Sequence, residues 1–517
     1  MEKVAHFFAD KTPSSTWISG ILLLASFLRL YRIQDYLTFL GDEGRDVLVV
    51  YKILHGQPTL LGPTASVGGF FLGPIYYYLM TPFLWLSNYN PVGPAVMVAF
   101  FGVATVFLVY KIGSEFFNKG VGLITAFLYS ISPLVIAHSR SSWNPNLMPF
   151  FSLLTLYILY KAISKNSLKL FIFCGILLGI TMQIHYLATF LGVIIAIYVL
   201  LSRSILVQGY SLQKTIVRAL KDYFYILVGF IIGWSPFLAF EVRHGFPNIQ
   251  SILSFVFSSK DAGANNHFFQ TIYDVFFRLF GRLVTYFPPP EQVAIDAHKN
   301  ITLWYYATLA LGIASLVAVL RSRNNPARTL LMTWFILGVG LFGFYKKSIY
   351  DYYFGFMFPL PFILVGIFLS SLYKTRIGKI LTISIFVGLT LINLKGIPFQ
   401  FIPNRQLAQV EGISKFVIEK TDNKPFNFAL ITGGNSDHAY RYFFTVWGKS
   451  PITIENPKKD PERKTVANQL LIVCEVNPCH PLGNSLWEVA GFGRGEIESQ
   501  WDVSVVKVYK LRHYKGN

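Results

Sequence analysis

Hydrophobic residues in this chain gather into long runs instead of alternating with polar ones, and the runs are close to the ~20 residues an α-helix needs to cross ~30 Å of hydrocarbon. Read this way, membrane spans fall at about 16–33, 92–112, 120–138, 146–163, 168–185, 187–202, 222–242, 301–320, 328–345, 352–372 and 378–395. Two further apolar stretches are interrupted: 71–86 by Pro74 and Pro82, and 267–287 by Asp274, Arg278 and Arg282. Such interruptions suit helices that lie in the outer interface or re-enter. With both set aside, the basic loops at 111–119, 161–169, 203–221, 321–328 and 374–379 share one side, which the positive-inside rule makes cytoplasmic. The pattern thus predicts about eleven spans with a cytoplasmic N-terminus. Glu2 and Asp10 precede the first run and no small-residue cleavage site follows it, so it reads as a retained span.

The pattern changes after residue 395. Residues 396–517 hold 15 Lys and Arg against 12 Asp and Glu, and short β-branched runs at 428–432, 470–474 and 503–509 predict strands, with a helix over 439–446. This predicts two domains: a transmembrane one over 1–395 and a small soluble α/β one over 396–517, extracytoplasmic by span parity. Asp437, His438 and Arg441 stand where the first strand gives way to the helix; a site and an N-cap at Ser436 or Asp437 account for them equally.

Composition narrows the class. With 53% hydrophobic residues and only 14% charged, the chain is no ordinary soluble protein, and its partners include membrane lipids. The net charge of +19 comes from basic residues scattered singly between apolar runs, which suits topology signals and argues against nucleic acid as a partner. Cys174, Cys474 and Cys479 have no zinc-ligand spacing, although Cys474 and Cys479 are placed to form a disulfide. There is no P-loop and no GxGxxG.

Against this background the stretch TFLGDEGRDVLVVYKILHGQ stands out, because Asp42, Glu43 and Asp46 crowd the first outer loop. Three readings of Asp42 and Glu43 are open: a helix cap, surface charge, or catalytic acids. The other outer loops carry Arg140 with Trp143, Asn144 and Asn146; His185 with Tyr186; Arg243 with His244; and Lys346, Lys347, Tyr350, Asp351, Tyr352 and Tyr353. Carboxylates facing Arg, Lys, His and Tyr at a membrane surface suit binding of a lipid-linked phosphate and deprotonation of a hydroxyl. Plainer roles exist for each: Arg140 snorkelling to headgroups, His185 bonding between helices, and the tyrosines forming an interfacial belt.

The order of these parts over residues 1–395 resembles the integral-membrane GT-C glycosyltransferases, in the branch of the protein O-mannosyltransferases and the lipid A aminoarabinose transferases. The resemblance rests on the DE pair opening the first outer loop (Asp42, Glu43, then Gly44 and Arg45), the HGQP turn, the GPIYYYL segment, the loop led by Arg140, and YDYYFGFMFPLP before a span. It implies a GT-C type α-helical polytopic membrane fold with interfacial helices in the outer loops. It also implies a polyprenyl-phosphate-linked monosaccharide donor, and Asp42 as the catalytic base with Glu43 beside it. The chain departs from the family where a second acid commonly follows the Arg of the second outer loop, offering Asn144 and Asn146 instead; no metal and no other cofactor is therefore expected. It departs again at Leu72-Gly73-Pro74, where members carry a charge. That leaves donor-phosphate binding to Arg140, Arg243, Lys346, Lys347 and Tyr353, with Trp143, Asn144, Asn146, His185 and His244 as secondary substrate contacts.

The implied reaction is an inverting sugar transfer to a hydroxyl of a lipid, glycan or protein acceptor on the outer face of a cell membrane. A transporter or flippase is the rival class; it calls for ionisable residues at midspan and paired broken helices. A ligase or polymerase of lipid-linked glycans shares the outer-face Arg and His but has no need of the early DE pair.

Overall fold

The computed structural model describes residues 14–66, 68–205, 212–258, 267–289, 292, 301–323 and 325–516. Glu2, Asp10 and part of the basic loop 203–221 lie outside the described residues. The chain forms two compact units: Met1–Tyr31, Thr59–Tyr78 and Val96–Ile402 make the first, while Arg32–Pro58, Leu79–Ala95 and Pro403–Asn517 make the second. The second unit thus takes in two segments from the first hundred residues, in addition to the C-terminal stretch expected as a domain.

Helices dominate the first unit. Among the described residues, five are long and apolar enough to cross a membrane alone: Val92–Phe116, Asn144–Lys165, Ile301–Leu320, Pro326–Phe344 and Arg376–Leu394. Two bent pairs qualify jointly, Thr215–Gly233 with Ser235–His244 (72°) and Asp351–Met357 with Pro359–Leu372 (61°), and four shorter apolar helices complete the set. These eleven stand at the eleven predicted spans. The interrupted stretches give helices of 12 and 14 residues, Ile75–Leu86 with Pro82 inside it and Phe268–Gly281 carrying Asp274 and Arg278.

Backbone-to-backbone packing fixes one helix pair. Gly175 and Gly179 on Leu168–Ile184 face Gly229 and Gly233 on Leu212–Gly233, a small-xxx-small pattern on both helices. A Cβ on Gly229 would come within 1.9 Å of the Ile172 carbonyl oxygen, and one on Gly175 within 2.0 Å of that of Ile226. Gln183 secures the top of this pair, donating from Nε2 to the Gly233 carbonyl at 2.6 Å where the partner helix bends.

In the second unit a four-stranded sheet has the order β1–β2–β4–β3, with β1 (Asn427–Ile431) parallel to β2 (Gln469–Cys474), and β4 (Val506–His513) antiparallel to both β2 and β3 (Gly495–Val503). β1 and β2 are buried throughout, as expected from their continuous apolar sequences. The run at 503–509, expected as one strand, instead straddles a tight turn at Ser504-Val505, with Ser504 at φ 55°. β3, read as no element from sequence, is an edge strand whose residues include Glu496, Glu498 and Asp502 and whose burial is partial. The core joins Ala429, Ile431, Leu470, Ile472, Tyr509 and Leu511 to Phe492. A disulfide links Cys474 and Cys479 at the end of β2.

Candidate active site

The three early acids lie on one helix of the second unit, Gly41–Leu54, and have different fates. Glu43 is buried and folds back, its Oε2 accepting from the Leu40 amide at 3.1 Å, which caps a free backbone donor at the helix start. Asp46 is fully buried, and its Oδ1 takes Arg45 Nη2 at 2.7 Å and Nε at 2.9 Å. Asp42 remains about half exposed and takes Arg45 Nη1 at 2.9 Å. Arg45 therefore bridges a buried carboxylate and an exposed one. Burial pushes the Glu43 carboxyl up to about 6, and burial, partly offset by Arg45, pushes Asp46 up to about 7.

Two glycines let this helix start against the loop after β1. The Gly41 amide donates to Asn435 Oδ1 at 2.8 Å, and a Cβ on Gly41 would lie 2.2 Å from Ser436 Oγ. A Cβ on Gly44 would lie 2.3 Å from the Ala439 nitrogen. Asn435 also donates to Glu475 at 3.3 Å, so the turn is braced from the end of β2. Asp437 pairs with Arg441, one turn along the helix His438–Val446, and Ser436 Oγ lies 2.7 Å from His438 Nδ1. Burial of His438 draws its pKa down. The loop residues singled out from sequence thus form the seat of the acidic helix.

In the first unit the other singled-out residues divide. Arg140 is buried and donates to the Leu28 and Tyr31 carbonyls at 2.7 and 2.8 Å, capping the helix Ser14–Leu30 and not snorkelling. Asn144 donates to the Ile184 carbonyl at 2.7 Å, tying its loop to the end of the helix Leu168–Ile184, and Asn146 donates to the Ser141 carbonyl at 2.8 Å within its own loop. Arg243 and His244 end an exposed helical turn, with His244 stacked on Phe240. His185 and Trp143 instead join an aromatic cluster: His185 stacks on Tyr186 (4.6 Å) and Trp143 packs on Tyr352 (4.5 Å). The hydroxyls of Tyr186 and Tyr345 lie 3.2 Å apart, and those of Tyr345 and Tyr353 3.4 Å.

Two cavities adjoin this cluster, and Tyr345 lines both. One, about 440 Å³, is walled by Phe70, Phe71, Tyr186, Phe190, Trp234 and Phe237 and is almost wholly apolar. The other, also about 440 Å³, is walled by His267, Gln270, Asp274, Arg278 and Lys347. Lys346 and Lys347 are exposed. Asp351 holds the polar cavity's wall, accepting from Arg278 at 2.6 Å and Arg282 at 2.9 Å. In the sequence Arg278 and Arg282 stand out only as breaks in an apolar run, and Gln183 and Asn435 carry no signal at all. The partners of Asn435 and the arginines lie far along the chain, 394 residues away for Asn435 and Gly41, so only the glycines beside the acids hinted at close packing. Among the described residues, no three His, Cys, Asp or Glu side chains gather as a metal-binding group.

Residues 72–234 match the dolichyl-phosphate-mannose-protein mannosyltransferase family. A Bacillus subtilis (strain 168) protein described as "Putative mannosyltransferase YycA" is 24% identical over 164 residues, 31% of this chain and 23% of the relative, so the match spans under a quarter of that relative's length. The fold is similar to that of Cupriavidus metallidurans ArnT bound to undecaprenyl phosphate, with a TM-score of 0.65 at 12% identity over 96% of this chain and 98% of that one. It is also similar to the archaeal oligosaccharyltransferase AglB of Archaeoglobus fulgidus in complex with an inhibitory peptide and a dolichol-phosphate, with a TM-score of 0.53 at 14% identity over 89% of this chain and 69% of that one.

Proposed function

We propose that this chain, a multi-pass membrane protein of the GT-C glycosyltransferase fold in the branch of the protein O-mannosyltransferases and ArnT, moves a monosaccharide from a polyprenyl-phosphate donor to an acceptor hydroxyl on the extracytoplasmic face. The observation that carries the reading is the graded burial of the early acids. Asp46 and Glu43 are enclosed, while Asp42 is open and oriented by an arginine that Asp46 anchors. A general base must be reachable by the proton it takes and held in one orientation, and Asp42 meets both conditions.

In this mechanism the Asp42 carboxylate accepts the proton of the acceptor hydroxyl as that oxygen bonds to the anomeric carbon. The bond from that carbon to the phosphate oxygen breaks on the opposite face, which inverts the configuration, and its electron pair leaves with the polyprenyl phosphate. The paired cavities at Tyr345 support a lipid-phosphate donor: the aromatic one suits an isoprenoid tail, and the one carrying Lys347 suits the phosphate. Lys346, Tyr353 and Arg243 are the further candidates for stabilising charge on the leaving group. That ArnT and AglB were captured with undecaprenyl phosphate and dolichol-phosphate supports the same donor class. Arg140 drops out of the donor set because the Leu28 and Tyr31 carbonyls occupy it.

The test uses membranes from cells expressing the wild type, Asp42→Asn or Glu43→Gln, supplied with radiolabelled polyprenyl-phosphate hexoses and pentoses. Wild type transfers label to acceptor, and Asp42→Asn lowers the rate by about a hundredfold or more, the scale of a lost general base. Undiminished transfer by Asp42→Asn would remove it from the mechanism.

A further inference from the structure

The second unit holds a cavity that the proposed chemistry does not use. It measures about 550 Å³, within the roughly 300–1,000 Å³ of small-ligand sites, and opens beyond the carboxyl end of β1, along the loop that leads into the helix His438–Val446. In sheets with parallel strands, ligands bind outside the carboxyl ends of the strands. The lining includes Thr432, Ser436, Asn435, Asn484, Asp437 and Glu488 together with the apolar Leu430, Ile431 and Leu486; Ser436, Asn435 and Asp437 are already held by His438, Gly41 and Arg441, and Asn484 keeps one N–H and one lone pair beyond its bonds to the His480 carbonyl and the Leu486 amide.

This set of groups selects a ligand class. No lysine or arginine lines the cavity, which disfavours phosphate and anionic headgroups. Carboxylates and carboxamides accept from paired hydroxyls, and the amide NH2 groups and side-chain hydroxyls donate back. A neutral polyhydroxylated ring matches that complement. We infer that the cavity walled by Thr432, Asn484 and Glu488 binds the neutral saccharide part of the acceptor, which rests on the transferase reading above and adds that the acceptor is a glycan. The loop between β1 and the helix also makes the site's link to chemistry. Asn435 carries the bond to the Gly41 amide, one residue before Asp42, so a sugar that orders this loop acts on the start of the acidic helix.

Full-length protein in detergent is titrated calorimetrically with a panel of neutral hexose disaccharides, alongside inorganic phosphate and a Ser/Thr-containing peptide. At least one disaccharide binds, and Glu488→Gln and Asn484→Ala each weaken it about tenfold or more, the scale of a lost hydrogen bond to a charged or buried group. Thermal melting shows whether each variant folds; Thr432→Val replaces either that does not. Binding of no disaccharide, equal binding by the variants, or binding of the peptide or phosphate alone overturns the assignment. Disaccharide binding lost in the variants, without donor-dependent transfer by wild-type membranes, leaves the sugar site standing and removes the transferase reading. Transfer without disaccharide binding removes the sugar site alone.

Discussion

Arg45 has three donors turned to two carboxylates of opposite exposure, and this makes the start of the helix Gly41–Leu54 sensitive to protons. Asp46 rises by burial from an ordinary value of 3.8 to about 7, and Glu43 from 4.5 to about 6. The fold therefore favours their protonated forms. Their stabilising contribution is fully present below about pH 4 and is lost as pH climbs through 6 and 7. The melting temperature of the detergent-solubilised protein should fall between pH 4 and 7 through these two groups, and Asp46→Asn should flatten much of that slope. An unchanged slope in Asp46→Asn would place the titration elsewhere. A wild type that gains stability across the same window would contradict the burial argument.

Elements were legible where hydrophobicity alone decides them. Eleven apolar runs gave eleven helical segments because hydrocarbon demands length and satisfied backbone groups, and β1 and β2 were legible because strands buried on both faces carry unbroken apolar sequence. β3 was not, since an edge strand with Glu496, Glu498 and Asp502 has no such signal. The acidic stretch could be marked as unusual from its neighbours in sequence. The division of labour within it depended on Arg45 geometry and on a loop nearly four hundred residues away, and neither leaves a local trace. The two GxxxG stretches were there to be read, and they set a test of packing. Gly229→Leu forces a side chain onto the Ile172 carbonyl and should cost at least the ~1–3 kcal/mol of an overpacked core, measured as a shift in denaturant-induced unfolding. A substitution at Gly388, whose Cβ would meet nothing within 4 Å, serves as the neutral control. Equal stability of Gly229→Leu and wild type would mean the two helices do not pack through their glycines.

For the whole molecule, sidedness is the main expectation. The proposed chemistry requires the second unit to face away from the cytoplasm, as the basic loops predict. In a Cys174→Ser background, with Cys474 and Cys479 bonded to each other, Lys458→Cys in the exposed loop before β2 should react with a membrane-impermeant maleimide in intact cells. Reaction only after the cells are opened would reverse the orientation and, with it, the side on which any transfer occurs.

The make-up of the second unit also sets an order of events during synthesis. The helix that carries Asp42 leaves the ribosome early, but the segment it packs on, from Asn435 through Ala439, follows almost four hundred residues later. At roughly 5–20 residues per second that is an interval of about 20–80 seconds. Throughout it, Gly41 and Gly44 lack the Asn435–Ala439 segment they later pack against, while the bonds of Asp42 and Asp46 to Arg45 and of Glu43 to the Leu40 amide are local and need no distant residue. Only the seat of the helix, the Gly41 amide on Asn435 and the close approach of Gly44 to Ala439, waits for that late segment, which ties maturation of the helix start to delivery of a distant part of the same polypeptide.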